Sequence, residues 1–214
     1  TTLMKAEISK INGQVNFITS IRDSLMSGKD LTIDMQALLM EGSSLDLNII
    51  MPYDSPVDTF YLAGILGRGR FTKFNPAVFP ATGIKFKKGI LDGMDFYAYG
   101  SPKGTRGQMT LLFHDLEAMV TKKDDVTDNK TLSFFANAVL PVSNPNKKGK
   151  IKVAVIDFER VEYKGFGNLL WKSVQSGLMN TLLPIGKQVK DKDAKANKNK
   201  YIEEKKKSRR KKNR

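Results

Sequence analysis

The sequence predicts a mainly β fold: a curled antiparallel meander, shaped as a groove or half-barrel, that ends in a C-terminal amphipathic helix. Three observations predict it. Apolar residues recur with period two through most of the body, Gly, Pro, Asn and Asp punctuate the chain at roughly 8–12 residue intervals, and one segment alone carries a long apolar stripe at helical spacing.

The strands follow in order. Val15, Phe17, Thr19 and Ile21 make a first alternating run. Leu31, Ile33, Met35, Ala37 and Leu39 share one face of a second, with Thr32, Asp34 and Gln36 opposite, the pattern of a half-buried strand. Leu45, Leu47, Ile49 and Met51 repeat it, and the polar link Glu41-Gly42-Ser43-Ser44 makes the pair a hairpin. Ile84 to Ile90, Met94 to Ala98, Met109 to Phe113 and Leu116 to Val120 continue the series. No long helical pattern separates these runs, which favours a meander over βαβ units.

Two runs depart from simple alternation. Phe60 to Leu66 is apolar on both faces, so it requires cover on both sides or a greasy concavity on one. Between Ile151 and Tyr163 the apolar phase changes, which predicts a bulge or bend. Thr72 to Gly83, with two prolines, reads as a loop or a single helical turn, and Thr131 to Val139 as a helical turn or two or a strand, with helix the preferred reading.

Gly165 to Leu183 is the long helix: Phe166, Leu170, Trp171, Val174, Leu178 and Leu182 fall on one arc, and Pro184 follows its end. Beyond it the composition changes. Residues 187–214 hold 14 Lys/Arg against 4 Asp/Glu, so most of the formal net charge of +14 sits there. Such a stretch buries too little apolar surface to offset its ordering entropy and is expected to be disordered, with a fleeting helix near Glu203 and Lys207, which have favourable i,i+4 spacing. The resulting division is 1–163 for the sheet, 164–186 for the capping helix and 187–214 for the basic tail.

Several chemistries are excluded. With no Cys there is no disulfide, thiolate metal site or thiol nucleophile, and the single His114 removes any two-imidazole metal motif. His114 and the pair Asp115/Glu117 alternate to opposite strand faces, so they do not converge as ligands unless a bulge intervenes. Asp92 and Asp95 beside Gly93 read as turn residues, and Gly64-x-x-Gly67-x-Gly69 lacks the Gly-Lys-Ser/Thr and helix of a phosphate loop. No catalytic residue, metal or cofactor is expected. The opening Thr1-Thr2 suggests a processed product or fragment.

Spaced signatures then carry a likeness. Gly67-Arg68-Gly69-Arg70-Phe71-Thr72-Lys73-Phe74-Asn75-Pro76, Pro80-Ala81-Thr82-Gly83-Ile84, Gly89-Ile90-Leu91-Asp92-Gly93-Met94 and Gly107-Gln108-Met109-Thr110-Leu111-Leu112-Phe113-His114-Asp115-Leu116 resemble the C-terminal region of AsmA-like proteins of Gram-negative bacteria. Phe135-Ala136-Asn137, Arg160 and Gly165-Phe166-Gly167-Asn168-Leu169-Leu170-Trp171-Lys172-Ser173-Val174-Gln175-Ser176-Gly177 resemble the closing segment of the Bacteroidota branch. The likeness covers about residues 60 to 183.

The resemblance implies a non-enzymatic protein of the cell envelope, on the periplasmic side, whose full-length chain is anchored in the inner membrane. It implies a β-groove with an apolar interior, similar to the bridge-like lipid transfer proteins, serving phospholipid transport and outer-membrane biogenesis. Phe60, Leu62 and Leu66 are the strand residues expected to contact lipid; Phe166, Leu170, Trp171, Val174, Leu178 and Leu182 are those expected of the helix. The run Lys205, Lys206, Lys207, Arg209, Arg210, Lys211 and Lys212 is the expected contact with an anionic surface, phospholipid membrane first. Other envelope proteins are further expected partners. Nucleic acid is the weaker alternative for this tail, since the body has no aromatic-interleaved basic surface; a third reading is a structural interaction domain of a longer chain.

Overall fold

The computed structural model describes residues 3–21, 28–55, 57–120 and 140–190, and six further positions between Asp193 and Lys207. The mainly β fold is the one the alternation predicts: one open antiparallel sheet of eight strands, with a C-terminal helix. The strands are β1 (Ile8–Asn16), β2 (Asp30–Leu39), β3 (Ser43–Pro52), β4 (Phe60–Leu66), β5 (Gly69–Arg70), β6 (Ile84–Ser101), β7 (Gly104–Val120) and β8 (Val153–Glu159). Neighbours in the chain are neighbours in space, in the order β1-β2-β3-β4-β6-β7-β8, and the short β5 also pairs with β6.

The β2–β3 turn shows why the hairpin forms. Met40 and Glu41 both take left-handed backbone (φ 49° and 66°), Gly42 donates its N–H to the Leu39 carbonyl at 3.3 Å, and Leu39 pairs with Ser43. The sequence places this link at Glu41–Ser44, but Ser43 and Ser44 already belong to β3. The first strand lies earlier than its alternation suggests, ending at Asn16, because Phe17 turns left-handed (φ 60°) and stops the ladder. The runs from Ile84 to Ala98 form one strand, as do those from Met109 to Val120. Bulges between Phe86 and Gly93 keep their apolar residues on the buried side despite the phase slips. β8 is regular where a bulge is expected, its pairing with β7 running without a shift from Glu159 to Val153.

Between β5 and β6 the chain leaves the sheet as a 3-10 turn (Phe71–Phe74) and α1 (Asn75–Thr82), which is more helix than two prolines suggest. Pro76 sits in the first turn, where its missing N–H costs nothing. Pro80 has no N–H to give the Pro76 carbonyl, and that carbonyl accepts from Lys5 N instead, at 3.0 Å. Gly83 ends α1 in left-handed conformation (φ 72°), donating to Phe79 O at 2.8 Å. Asn75 fixes α1 to β6 by donating to and accepting from the Phe86 backbone, both at 2.8 Å. Thr131 to Val139 lies outside the described residues.

Candidate functional site

Registered pairing divides the sheet into two faces. Val15, Ile33, Ile49, Leu62, Ala98, Gly107 and Ile156 form one row across seven strands of the apolar face. The next row on the opposite face reads Gln14, Asp34, Asn48, Ala63, Tyr97, Gln108 and Val155. All-strand registry therefore keeps the apolar residues continuous, as a groove lining requires.

The C-terminal helix, α2 (Phe166–Leu182), fills the apolar face over β7 and β8. The stripe in closest contact with the sheet is one of mostly small residues beside the large-residue arc that the sequence predicts, of which Leu178 and Leu182 are also buried. Leu169, Ser173, Gly177 and Thr181, four residues apart, are buried toward the sheet, and a Cβ on Gly177 would stand 3.0 Å from Ile156 and Met109 side-chain carbons. Small side chains let the helix axis approach closely, and the hydroxyls are internally satisfied. Ser173 donates to Leu169 O at 2.6 Å, leaving Thr105 Oγ1 to donate to Ser173 Oγ at 2.5 Å, while Thr181 donates to Gly177 O at 2.9 Å. Asn180 and Ser176 bond the backbone of Val155 and Asp157 along β8. At the far end the Lys152 ammonium donates to the carbonyls of Thr181 (3.1 Å) and Leu183 (2.9 Å), capping the helix with a cation whose pKa burial pulls down.

The expected lipid contacts are thereby sorted. Phe60, Leu62, Leu66, Leu178 and Leu182 are enclosed in the protein core, so their apolar area is already spent on one another. Phe166, Leu170, Trp171 and Val174 are half-buried, and the Phe166 ring meets Phe60 edge-on at 5.0 Å. The open part of the apolar face lies elsewhere. Along the central row exposure is 0% at Ile156, 2% at Leu62 and 3% at Ile49, then 48% at Val15 on the edge strand β1. Ile11 shares the Val15 side of β1 and is 63% exposed. Ile33, Leu45, Leu47 and Met51 lie between, half-buried. The sequence reading missed this β1–β3 shelf because it begins the strand at Val15 rather than Ile8.

The two-sided apolar strands are explained by what covers the polar face. Phe60, Leu62 and Leu66 of β4 point to the core; Tyr61 packs edge-on with Tyr99 at 5.5 Å, and Ile65 stays exposed. On β8, Val153 and Val155 meet the chain that follows α2: Val155 N donates to Lys187 O at 3.0 Å and Val189 N to Val153 O at 2.9 Å. Residues 187–189, expected to be disordered, thus add a bridge at the β8 edge, and Asp193, Asn199, Ile202, Glu203, Lys206 and Lys207 have helical backbone. Lys206 and Lys207 are exposed; the other expected surface-contact residues, Lys205 and Arg209 to Lys212, lie outside the described residues.

Polar chemistry is dispersed. His114 Nδ1 lies 2.7 Å from Asp92 Oδ2, and Glu117 pairs instead with Lys87 and Lys88 at 3.5 and 3.4 Å. Among the described residues no three His, Asp or Glu side chains gather as a metal site, and no helix is long and apolar enough to cross a membrane. Gly64 lies within β4, where a Cβ would strike the Phe96 ring, so the glycine spacing serves sheet packing. Comparison of the chain with protein-family models, with curated proteins and with solved structures finds no match.

Proposed function

We propose that this chain is a non-catalytic, lipid-handling β module of the cell envelope, of AsmA-like type. It would act on the periplasmic side in phospholipid transport or outer-membrane assembly. One observation carries the reading: the apolar face is sealed by helix over β6–β8 and opens toward the edge strand β1, where Ile11 and Val15 stand exposed and Ile33, Leu47 and Met51 of the next two strands are half-buried. A continuous apolar shelf of this kind holds acyl chains by area alone, without a reactive group. The large residues of α2 act as the stopper of that shelf rather than its lining. Gently purified protein, extracted and analysed by mass spectrometry, should carry phospholipid. Lipid-free protein that also takes up none from mixed liposomes overturns the reading.

A further inference from the structure

Exposed aliphatic side chains and lysines coincide at one corner of the molecule, where β8 begins and α2 ends. Residues 140–144 run beside β7: Phe113 and Asn144 exchange backbone hydrogen bonds at 2.8 and 2.9 Å, and Leu116 N donates to Val142 O at 2.9 Å. The chain then leaves the sheet, turns through residues 146–150 and returns at Lys152 to enter β8. Asn146 holds this loop in one shape. Its Oδ1 accepts from Lys148 N at 2.9 Å and Lys150 N at 3.1 Å, and its carbonyl accepts from Gly149 N at 2.8 Å. Lys147, Lys148 and Lys150 are left exposed around it.

The turn after α2 stands beside this loop. Gly186 N donates to Leu183 O at 3.0 Å, so Pro184 and Ile185 take the second and third positions of a tight turn, and Ile185 at its apex is 69% exposed. Lys152 joins the two turns, since its ammonium donates to Leu183 O at 2.9 Å from the foot of the loop. Buried Asn144 ties the other side, accepting from Lys152 N at 2.7 Å and donating to Lys152 O at 3.0 Å. On this frame Val142 is 59% exposed and Ile151 44%. The charge is one-sided: residues 140–156 hold four lysines and no Asp or Glu.

We infer that this corner, residues 141–151 with the turn at Ile185, is a contact surface for an anionic membrane. Val142, Ile151 and Ile185 enter the headgroup layer, and Lys147, Lys148 and Lys150 meet the negative charge of the lipids around them. Aliphatic tips ringed by lysine fit lipid better than nucleic acid, because a phosphate backbone rewards the lysines and leaves the isoleucines in water. The frame of hydrogen bonds fixes the tips before binding, so little ordering opposes it. The contact stands apart from lipid held at the β1 shelf, which lies at the other edge of the sheet, and does not depend on it.

The chain has no Cys, so a single introduced one carries a unique label. Val142→Cys, Ile151→Cys and Ile185→Cys in the full chain, each labelled with the environment-sensitive dye NBD, should shift to the blue on vesicles of phosphatidylcholine with about 30% phosphatidylglycerol. Phosphatidylcholine alone should leave all three unchanged. Label on Tyr163→Cys, exposed past the other end of β8, should stay unchanged on both vesicles. Lys147→Gln/Lys148→Gln/Lys150→Gln should lower vesicle affinity roughly tenfold or more, at about fivefold per lysine, without moving the melting temperature. Protein that floats with the anionic vesicles while the corner labels stay unshifted binds through its basic tail, and that result overturns the corner as the contact. Unchanged affinity in the lysine variant, or an equal shift at Tyr163→Cys, overturns it as well. Duplex DNA that shifts the three labels as far as the vesicles do overturns lipid as the partner. Phospholipid carried at the shelf is read separately by extraction, so either reading can fail alone.

Discussion

At Gly177 the absent side chain sets a distance. Any Cβ there meets Ile156 and Met109 at 3.0 Å, and the two cannot both retreat because Ile156 and Met109 are fully enclosed. Gly177→Val therefore overpacks the helix–sheet contact and is expected to cost about 2–3 kcal/mol, read as a lower urea midpoint at unchanged m. Gly177→Ala should cost less, since its single carbon requires a shift of a few tenths of an ångström. Tyr97 makes a prediction about alkali. Burial first, and Asp95 second, raise its phenol above the ordinary value of 10.0. Above pH 10 the unfolded chain gives up a proton that the folded chain keeps, so stability falls as pH rises past 10. Lys152 has the opposite sign: its lowered pKa means that stability rises with pH toward 10.5. Tyr97→Phe removes the first slope and leaves the second, so urea unfolding followed from pH 9 to 11 should show the variant gaining relative to the parent.

At the scale of elements, α2 is a wedge rather than a lid. Its small stripe faces β7 and β8 and its large residues face the rest of the core, so the cost of a charge depends on which side receives it. Leu178→Asp places a carboxylate in an enclosed site and should cost more than about 3 kcal/mol or prevent folding, whereas Leu170→Asp, half-buried, should cost appreciably less. Equal melting temperatures for the two would show that the helix is rotated from this orientation. The helix was legible in the sequence because Phe166 to Leu182 has no interior proline and an obvious stop. Its facing was not, because hydrophobic periodicity counts large apolar residues, and the contact here is made by glycine, serine and threonine, whose value lies in proximity. The strands were legible for the same reason that β2 and β3 alternate so regularly. The bulge at Asp115 was not, since it is chosen by the need to keep Phe113 and Leu116 on one side. The turn Ser101-Pro102-Lys103-Gly104 was a signal available in the sequence and overlooked: proline at its second position and glycine at its fourth join β6 to β7 in a two-residue link.

For the whole molecule the central fact is asymmetry. One apolar face is shared between a sealed half and an open half, and the candidate site belongs to the open half, which composition alone could not distinguish from core. Ile11→Lys/Val15→Lys should lower any co-purified phospholipid strongly while moving the melting temperature by only a few degrees, since both side chains are already exposed. Loss of lipid accompanied by a large fall in melting temperature would place these residues in the structural core instead.

The excursion through β5, the 3-10 turn and α1 has a kinetic consequence. The β2–β3 and β6–β7 hairpins close over turns of two or three residues, but even the nearest pairing between β4 and β6, Leu66 with Met94, encloses the whole excursion. The two hairpins can therefore zip independently and early, and the seam that joins them waits on a costlier loop closure. Truncations along that seam, at Leu62 or Ala98, should slow folding more than truncations beside either tight turn, so the middle of the sheet, not its ends, sets the clock.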